Sequence, residues 1–312
     1  MAIICPIPKI LLPVDESKHS GRAVEFTGCL GGLMGDSLSG ITLLHVMEGS
    51  YVGEHTDYVD FRAEILKKSD TIKKFKDQHI EKDIRPFMDE WEKILRDSGI
   101  RIKIEKLILD GEPAHEIVRI ADEGGFSTII MSRRGHSETI GITSAVVHAA
   151  SRQTVYVIGY EVLKDKAFPV PSMLIPVDGS PYSMKGVEHA ACLAGTLKGS
   201  IRGITLFRVI NTALYKERVA KGEYPDMEAE QVLNAAKAVF LQAEVSEELI
   251  TIKSRRGKPA EEILKEAEEG DYNLVIMGRK GRSTIKDLLL GGVSSTVLHR
   301  CQNPTVAIVS SG

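Results

Sequence analysis

The chain of 312 residues lacks the sequence patterns of several specialised classes of protein. No run approaches the ~18 consecutive apolar residues of a membrane-spanning helix, and the first residues lack the basic stretch of a secretion signal. We therefore expect a cytoplasmic protein that does not insert into a membrane. The 40 basic and 43 acidic residues leave a net charge of −3, so no overall attraction to nucleic acid is expected.

Residue types that bind metals are present but too scattered to indicate a site. The four cysteines, Cys5, Cys29, Cys192 and Cys301, form no C-x-x-C pair, so neither a zinc site nor a disulfide framework is indicated. The nine histidines form no H-x-x-x-H array. We expect free thiols and no transition metal held by the protein.

What the chain does contain is a repeat of its own sequence. Four segments of the first half recur in the second: Ile10–Asp15 as Met173–Asp178, Gly40–Val46 as Gly203–Val209, Gly111–Ile117 as Gly257–Ile263, and Val146–His148 as Val297–His299. The offset is 163 for the first two pairs, 146 for the third and 151 for the last. Because such self-similarity marks duplicated structural units, we predict two homologous domains, 1–162 and 170–312, with a linker around 161–171.

Each half alternates short apolar runs with amphipathic stretches, which is typical of a parallel sheet covered by helices. We predict an α/β fold of two tandem Rossmann-like domains, each a five-stranded parallel sheet sandwiched by helices. The predicted strands are 9–14, 40–46, 102–109, 128–131 and 154–158, then 173–177, 203–209, 248–254, 274–277 and 305–309. A helix is predicted over 80–95, kinked or broken at Pro86. The last strands of the two halves can pair with each other, which predicts a pseudo-twofold arrangement.

Ligands of open α/β sheets bind beyond the carboxyl ends of the strands, so the residues directly after each strand are the candidates for a binding site. After the fourth strand of the second half come Gly278-Arg279-Lys280-Gly281, nine further residues, and then Gly291-Gly292-Val293-Ser294-Ser295. Glycines permit φ > 0 and let backbone N–H groups approach an anion, and the next helix adds N–H donors and its dipole. The two serines could add hydroxyl donors. The alternative is a tight strand-to-helix connection without a ligand.

This G-x-x-G, nine-residue, Gly-small pattern resembles the nucleotide-binding signature of the universal stress protein family. The Pro-Val-Asp of the first strand, the Gly-x-Pro-x-x-Glu-Ile segment and the Pro-x-Val ending extend the resemblance over both halves. It implies that ATP, with or without Mg²⁺, binds to the second half. The residues implied are Pro176, Asp178, Val209, Met277, Gly278, Gly281, Gly291, Gly292, Val293 and Ser294.

The resemblance also implies a role for each of these residues. Asp178 would accept hydrogen bonds from the ribose, and Pro176 and Val209 would line the adenine pocket. Met277 and Gly278 would lie under the nucleotide, and the remaining five would surround the triphosphate. The family commonly has Ser or Thr where this chain has Gly292, so we expect phosphate binding weaker by ~1 kcal/mol. For Asp178 an alternative stays open, since an Asp at a strand end also caps the following turn and its counterpart Asp15 is present in the first half.

The first half departs from this pattern. Ser132 replaces the first motif glycine, and Ile140 occupies the position of Gly291. Gly141 lies six positions after Gly135, whereas Gly292 lies eleven positions after Gly281. We predict that the first half does not bind ATP in the family's manner. The basic residues that flank the two loops could neutralise phosphate, pair with carboxylates across the domain interface or lie in solvent; they are Arg133, Arg134, Arg279, Lys280 and Arg282.

No motif indicates a chemical reaction. Neither a G-x-S-x-G elbow nor a G-x-x-x-x-G-K-[ST] loop occurs, so we expect no enzyme, or at most slow ATP hydrolysis. Two functions stay open: a nucleotide-binding stress-response or signalling module with an unidentified protein partner, and a ligand-free protein-interaction scaffold. The resemblance implies an intramolecular pseudo-dimer and allows further pairing of two chains into a homodimer.

Overall fold

The structure, a computed structural model, describes residues 7–47, 70–133, 141–160, 170–281 and 290–310. The first half contributes β1 (Lys9–Pro13), α1 (Lys18–Met34), β2 (Gly40–Met47), α2 (Asp70–His79), α3 (Arg85–Asp97), β3 (Ile104–Asp110), α4 (Pro113–Glu123), β4 (Thr128–Ser132), α5 (Ile142–Ala149) and β5 (Thr154–Ile158). The second half contributes β6 (Ser172–Pro176), α6 (Pro181–Thr196), β7 (Gly203–Asn211), α7 (Thr212–Ala220), α8 (Pro225–Gln242), β8 (Ile250–Gly257), α9 (Pro259–Glu269), β9 (Leu274–Gly278), α10 (Gly292–Arg300) and β10 (Thr305–Val309). Every predicted strand is present, with ends that differ by a few residues.

The strands of the described residues form one sheet in the order β3-β2-β1-β4-β5-β10-β9-β6-β7-β8. Neighbours within each half are parallel. The halves meet where β5 and β10 pair antiparallel, with Val155 opposite Ile308 and Val157 opposite Val306. Both the α/β fold and the predicted pairing of the last strands are confirmed.

Two apolar layers, one on each face of the sheet, continue through both halves. Successive residues of a strand point to opposite faces, so Ile10 and Leu12 enter one layer while Leu11 enters the other. The same alternation places Tyr156 and Val157 in different layers at the junction. The two halves therefore share continuous cores.

The predicted break near Pro86 is also present. A single π-helical turn, Ile80–Ile84, separates α2 from α3, and Pro86 lies in the first turn of α3. Proline is tolerated at that position because the first N–H groups of a helix have no partner within it. The amphipathic stretch is thus two helices with a local change of pitch between them.

The junction between the halves is chemically asymmetric although the halves are related by a repeat. Tyr156 lies opposite Ala307, its counterpart in the repeat. The Tyr156 hydroxyl lies 2.6 Å from Nε2 of His189 on α6, and both side chains are buried. The repeat counterpart of His189 is Phe26, whose ring centroid lies 6.3 Å from that of Tyr156. Burial lowers the pKa of His189 to about 4, so the imidazole is neutral near pH 7.

Candidate functional site at the carboxyl ends of the strands

A cavity of about 210 Å³ opens at the carboxyl ends of β9, β6 and β7. In the sheet β6 lies between β7, the next strand along the chain, and β9. The order of the strands therefore reverses at β6, which is where open α/β sheets bind ligands. All ten residues that the sequence assigns to a nucleotide line this cavity: Pro176, Asp178, Val209, Met277, Gly278, Gly281, Gly291, Gly292, Val293 and Ser294. The structure therefore brings together segments up to 118 residues apart along the chain.

The cavity wall has an apolar part and a charged part. The apolar part includes Pro176, Phe207, Val209, Ile263 and Met277. Among the described residues, the charged side chains that line it are Asp178, Arg208, Arg218 and Lys280. The cations, of which the two arginines are paired with carboxylates outside the lining, can attract an anionic ligand, and the apolar surface suits a flat ring system beside that charge.

Two of these cationic residues, Arg208 and Arg218, had no assigned role in the sequence pattern, whereas Lys280 was among the basic residues that could neutralise phosphate. Arg208 precedes Val209 and occupies the repeat position of His45, a change that could have marked it. Lys280 lies inside the glycine loop, with its ammonium 5.9 Å from the centre of the Tyr182 ring. Arg218 comes from α7, which no motif identified.

Glu228 of α8 holds two of these cations at the cavity edge. It contacts Arg208 at 3.6 Å and is hydrogen-bonded to Arg218, which also donates to Glu223. The two carboxylates raise the pKa of Arg218 above its ordinary value. The guanidinium groups are thus fixed by paired charge rather than left to move in solvent.

The start of α10 forms the anion-binding end of the cavity. Gly291 is the N-cap, with no side-chain capping bond, and the Ser295 N–H makes the first helical bond, 2.8 Å to the Gly291 carbonyl. The N–H groups of Gly292, Val293 and Ser294 precede that bond and are directed out of the helix end. Backbone donors and the helix dipole are therefore available to a phosphate at this point.

The Ser294 hydroxyl makes a hydrogen bond within the fold. It is buried and donates to the Gly278 carbonyl at 2.9 Å. In the first half Thr143 donates in the same way to the carbonyl of Ser132 at 3.0 Å. Because the bond occurs in both halves, it ties the last helix to the fourth strand, and only the backbone N–H of Ser294 remains directed at the cavity.

Three of the four motif glycines lie where another group approaches closely, and none uses the positive φ that glycine permits. The φ angles of Gly278, Gly281, Gly291 and Gly292 all lie outside the left-handed region. A Cβ on Gly278 would collide with the backbone carbonyl of Tyr182, and one on Gly281 would lie 2.8 Å from Oδ2 of Asp178. At Gly291 a Cβ would lie 3.3 Å from the backbone of the glycine loop, whereas at Gly292 it would meet nothing within 4 Å.

Asp178 takes part in the turn and also faces the glycine loop. Its Oδ1 accepts the N–H of Ser180 at 2.9 Å, which is the capping role, and its Oδ2 lies beside Gly281. In the first half, Oδ1 of Asp15 accepts the N–H of Ser17 at 3.0 Å. The capping role is thus common to both halves, and it uses one carboxylate oxygen.

The two loop arginines that the structure describes lie across the domain interface. Arg279 is buried and donates to the carbonyls of Ala150 and Val147, each at 2.8 Å, at the end of α5. Arg133 donates to the carbonyls of Leu298 at 2.6 Å and Cys301 at 3.0 Å, at the end of α10. Each arginine therefore binds the carboxyl end of the other half's last helix, through backbone carbonyls rather than carboxylates. Burial lowers the pKa of both.

In the first half, aromatic side chains lie around the ends of the first two strands. Nδ1 of His45 lies 2.8 Å from the Val14 carbonyl, and its ring contacts Phe87 edge-on with centroids 5.2 Å apart. The Trp91 indole N–H donates to the Asp15 carbonyl at 3.0 Å. The loop residues on which the prediction about this half depends lie outside the described residues: Arg134, Gly135 and Ile140 here, with Arg282 of the second half and positions 161–169 of the linker.

Within the described residues, no helix has the length and apolar character to cross a bilayer.

Comparison with known proteins identifies a family to which the chain is similar. The model of the Universal stress protein family matches residues 6–158 and again 170–309, which together span most of the chain.

Two curated relatives and one solved structure illustrate the similarity. A universal stress protein of Mycolicibacterium smegmatis is 24% identical over 309 residues, 96% of each chain. One of Methanocaldococcus jannaschii is 27% identical over 139 residues, 44% of this chain and 80% of its own. The crystal structure of a universal stress protein from Archaeoglobus fulgidus covers 97% of this chain and 96% of its own at 20% identity, with a TM-score of 0.63. That structural likeness concerns the fold alone.

Proposed function

The chain belongs to the universal stress protein family, and from that premise we propose that its second half binds an adenine nucleotide, ATP, as a stress-response or signalling module. The observation that supports this most is the convergence of all ten assigned residues on one cavity. Its apolar part suits the base, Asp178 is placed for the ribose, and the start of α10 suits the phosphates.

The glycines supply the second argument. The glycine loop brings the backbone of Gly281 against Asp178 and that of Gly291 against the loop itself. A Cβ at Gly281 would lie 2.8 Å from Oδ2 of Asp178, so a side chain there would displace the carboxylate proposed for the ribose. Lys280 and the backbone N–H groups at the start of α10 would meet the charge of a triphosphate, with or without Mg²⁺, whereas Arg208 and Arg218 are already paired with Glu228.

Binding without turnover is the activity proposed, with a protein partner in the cytoplasm that binds according to whether the site is occupied.

A homodimer would not form through β5 and β10, because these two edge strands are already paired with each other within the chain. The outer strands of the sheet are β3 and β8, and β8 presents Lys253, Arg255 and Arg256. Charged edge strands oppose the addition of further strands, so a homodimer would form through other surfaces.

Isothermal titration of ATP into the full chain tests the proposal. Gly281→Val should abolish the heat of binding, because the new side chain would meet the Asp178 carboxylate. The matched control is Gly141→Val at the N-cap of α5 in the first half, which should leave the affinity unchanged. No heat from the wild-type chain at near-millimolar ATP would refute nucleotide binding and favour the ligand-free scaffold. Equal losses in both variants would contradict the assignment to the second half.

A further inference from the structure

Helix α10 connects the proposed nucleotide site to the first half. Its first turn, at Gly292, Val293 and Ser294, lines the cavity, and its nine residues end at Arg300. A helix this short acts as a rigid rod, so displacement of one end moves the other. Whatever holds the carboxyl end of α10 therefore also places the N–H groups directed at the phosphates.

The residue that holds that end is Arg133 of the first half. Its guanidinium donates to the carbonyls of Leu298 and Cys301, and it lies 3.5 Å from that of His299. These carbonyls belong to the last turn and to the C-cap Cys301, where a helix has unsatisfied acceptors and the negative end of its dipole. The guanidinium group of Arg133 offers several N–H donors to these carbonyls. Its permanent positive charge also suits the negative end of the helix dipole.

The glycine loop, which forms the other wall of the phosphate site, is also held by the first half. Arg279 lies within the glycine loop that faces α10, and the residue is 4% exposed. It donates to the carbonyls of Val147, His148 and Ala150 of the first half. Its backbone carbonyl accepts the Gly291 N–H at 2.9 Å, so the residue joins the loop to the start of α10 as well.

We propose that the first half completes the nucleotide site of the second, with Arg133 as the positioning residue for α10 and Arg279 as the positioning residue for the glycine loop. The proposal rests on the proposed function. In this proposal the first half, which lacks the glycine pattern, supports both walls of the phosphate cradle of the second half. The first half itself touches no nucleotide.

Substitution of Arg133 tests this, because the residue lies outside the cavity. In Arg133→Met the ATP affinity, measured by titration calorimetry, should fall about fivefold or more, the usual lower bound for coupling between separate sites. The adenosine affinity should be unchanged, since base and ribose bind at β6 and β7. The control is Tyr156→Phe, which removes the bond to His189 between the halves; Tyr156 lies in the apolar layer on the face of the sheet opposite Val297 and Leu298 of α10. Equal losses for ATP and adenosine, or equal effects of the two variants, would overturn the proposal.

A readout without nucleotide separates this proposal from the proposed function. Amide hydrogen exchange, resolved to single residues, should rise in Arg133→Met at Ser295, whose N–H bonds the Gly291 carbonyl, and at Gly291 itself. Tyr156→Phe should leave these amides unchanged. If the wild-type chain binds no ATP but this pattern appears, binding fails and positioning stands; unchanged exchange refutes positioning. Should Arg133→Met not fold, Arg133→Lys, which keeps the charge but not the fork of donors, is measured in the same way.

Discussion

Acidification should loosen the junction between the halves through His189. The imidazole is buried against Tyr156, and burial holds its pKa at about 4, below the ordinary value of 6.5. The unfolded chain therefore takes up the proton more readily than the folded chain does. The stabilising contribution of the neutral imidazole is complete above pH ~6.5 and is lost as the pH falls from ~6.5 towards 4.

The size of the effect follows from the displacement of the pKa. A difference of about 2.5 units between folded and unfolded chain corresponds to about 3 kcal/mol of unfolding free energy in total. About 2 kcal/mol of this falls between pH 7 and pH 5, because the unfolded imidazole is mostly protonated at pH 5 and the folded one is not. A loss of that size is a substantial fraction of the stability of an ordinary domain.

Urea denaturation at pH 7 and pH 5, followed by circular dichroism, measures this loss. The comparison variant is His189→Phe, which places at position 189 the residue that the first half has at position 26. The wild-type chain should lose about 2 kcal/mol more than the variant between the two pH values. His189→Gln, which keeps a polar group near Tyr156 but does not titrate, should behave like the phenylalanine variant. Parallel losses in all three chains would refute the assignment to His189.

Four further outcomes are expected. Gly292→Ser should tighten ATP binding about fivefold in calorimetry, because a Cβ there meets nothing within 4 Å and the hydroxyl restores about 1 kcal/mol of hydrogen bonding; an unchanged affinity would contradict phosphate contact there. Ser294→Ala should cost about 1 kcal/mol of stability in urea titration, since its hydroxyl donates to the Gly278 carbonyl, and an unchanged stability would refute that bond. Gly278→Ala should lower the unfolding free energy by about 1–3 kcal/mol through its collision with Tyr182, and a neutral result would refute the close approach. Arg279→Met should cost about 3 kcal/mol or more in urea, because several buried carbonyls lose a charged donor.

The fold could be predicted because it depends on patterns that repeat along the chain. Most strands are short apolar runs buried on both faces, and each of these runs occurs once in each half because of the duplication. The pairing of β5 with β10 followed from the exposed edge that each half would otherwise present. The candidate site followed from the glycines, whose spacing locates a strand end and a helix start that must lie together.

The roles of individual polar side chains could not be predicted in the same way. Arg133 and Arg279 appear in the sequence as basic residues beside glycines, and only the antiparallel junction brings the opposite helix ends within their reach. The Ser294 hydroxyl was assigned to phosphate because its target, the Gly278 carbonyl, is a backbone group that no sequence pattern marks. Arg218 enters the wall through the packing of α7, which has no motif.

The large residue at position 156 and the small one at position 307 determine which halves can associate. Two first halves brought together would press Tyr156 against a second tyrosine, and two second halves would oppose Ala307 with alanine and leave a void. Only unlike halves fill the junction. The junction therefore accepts one first half with one second half, which is the pairing that a single chain supplies.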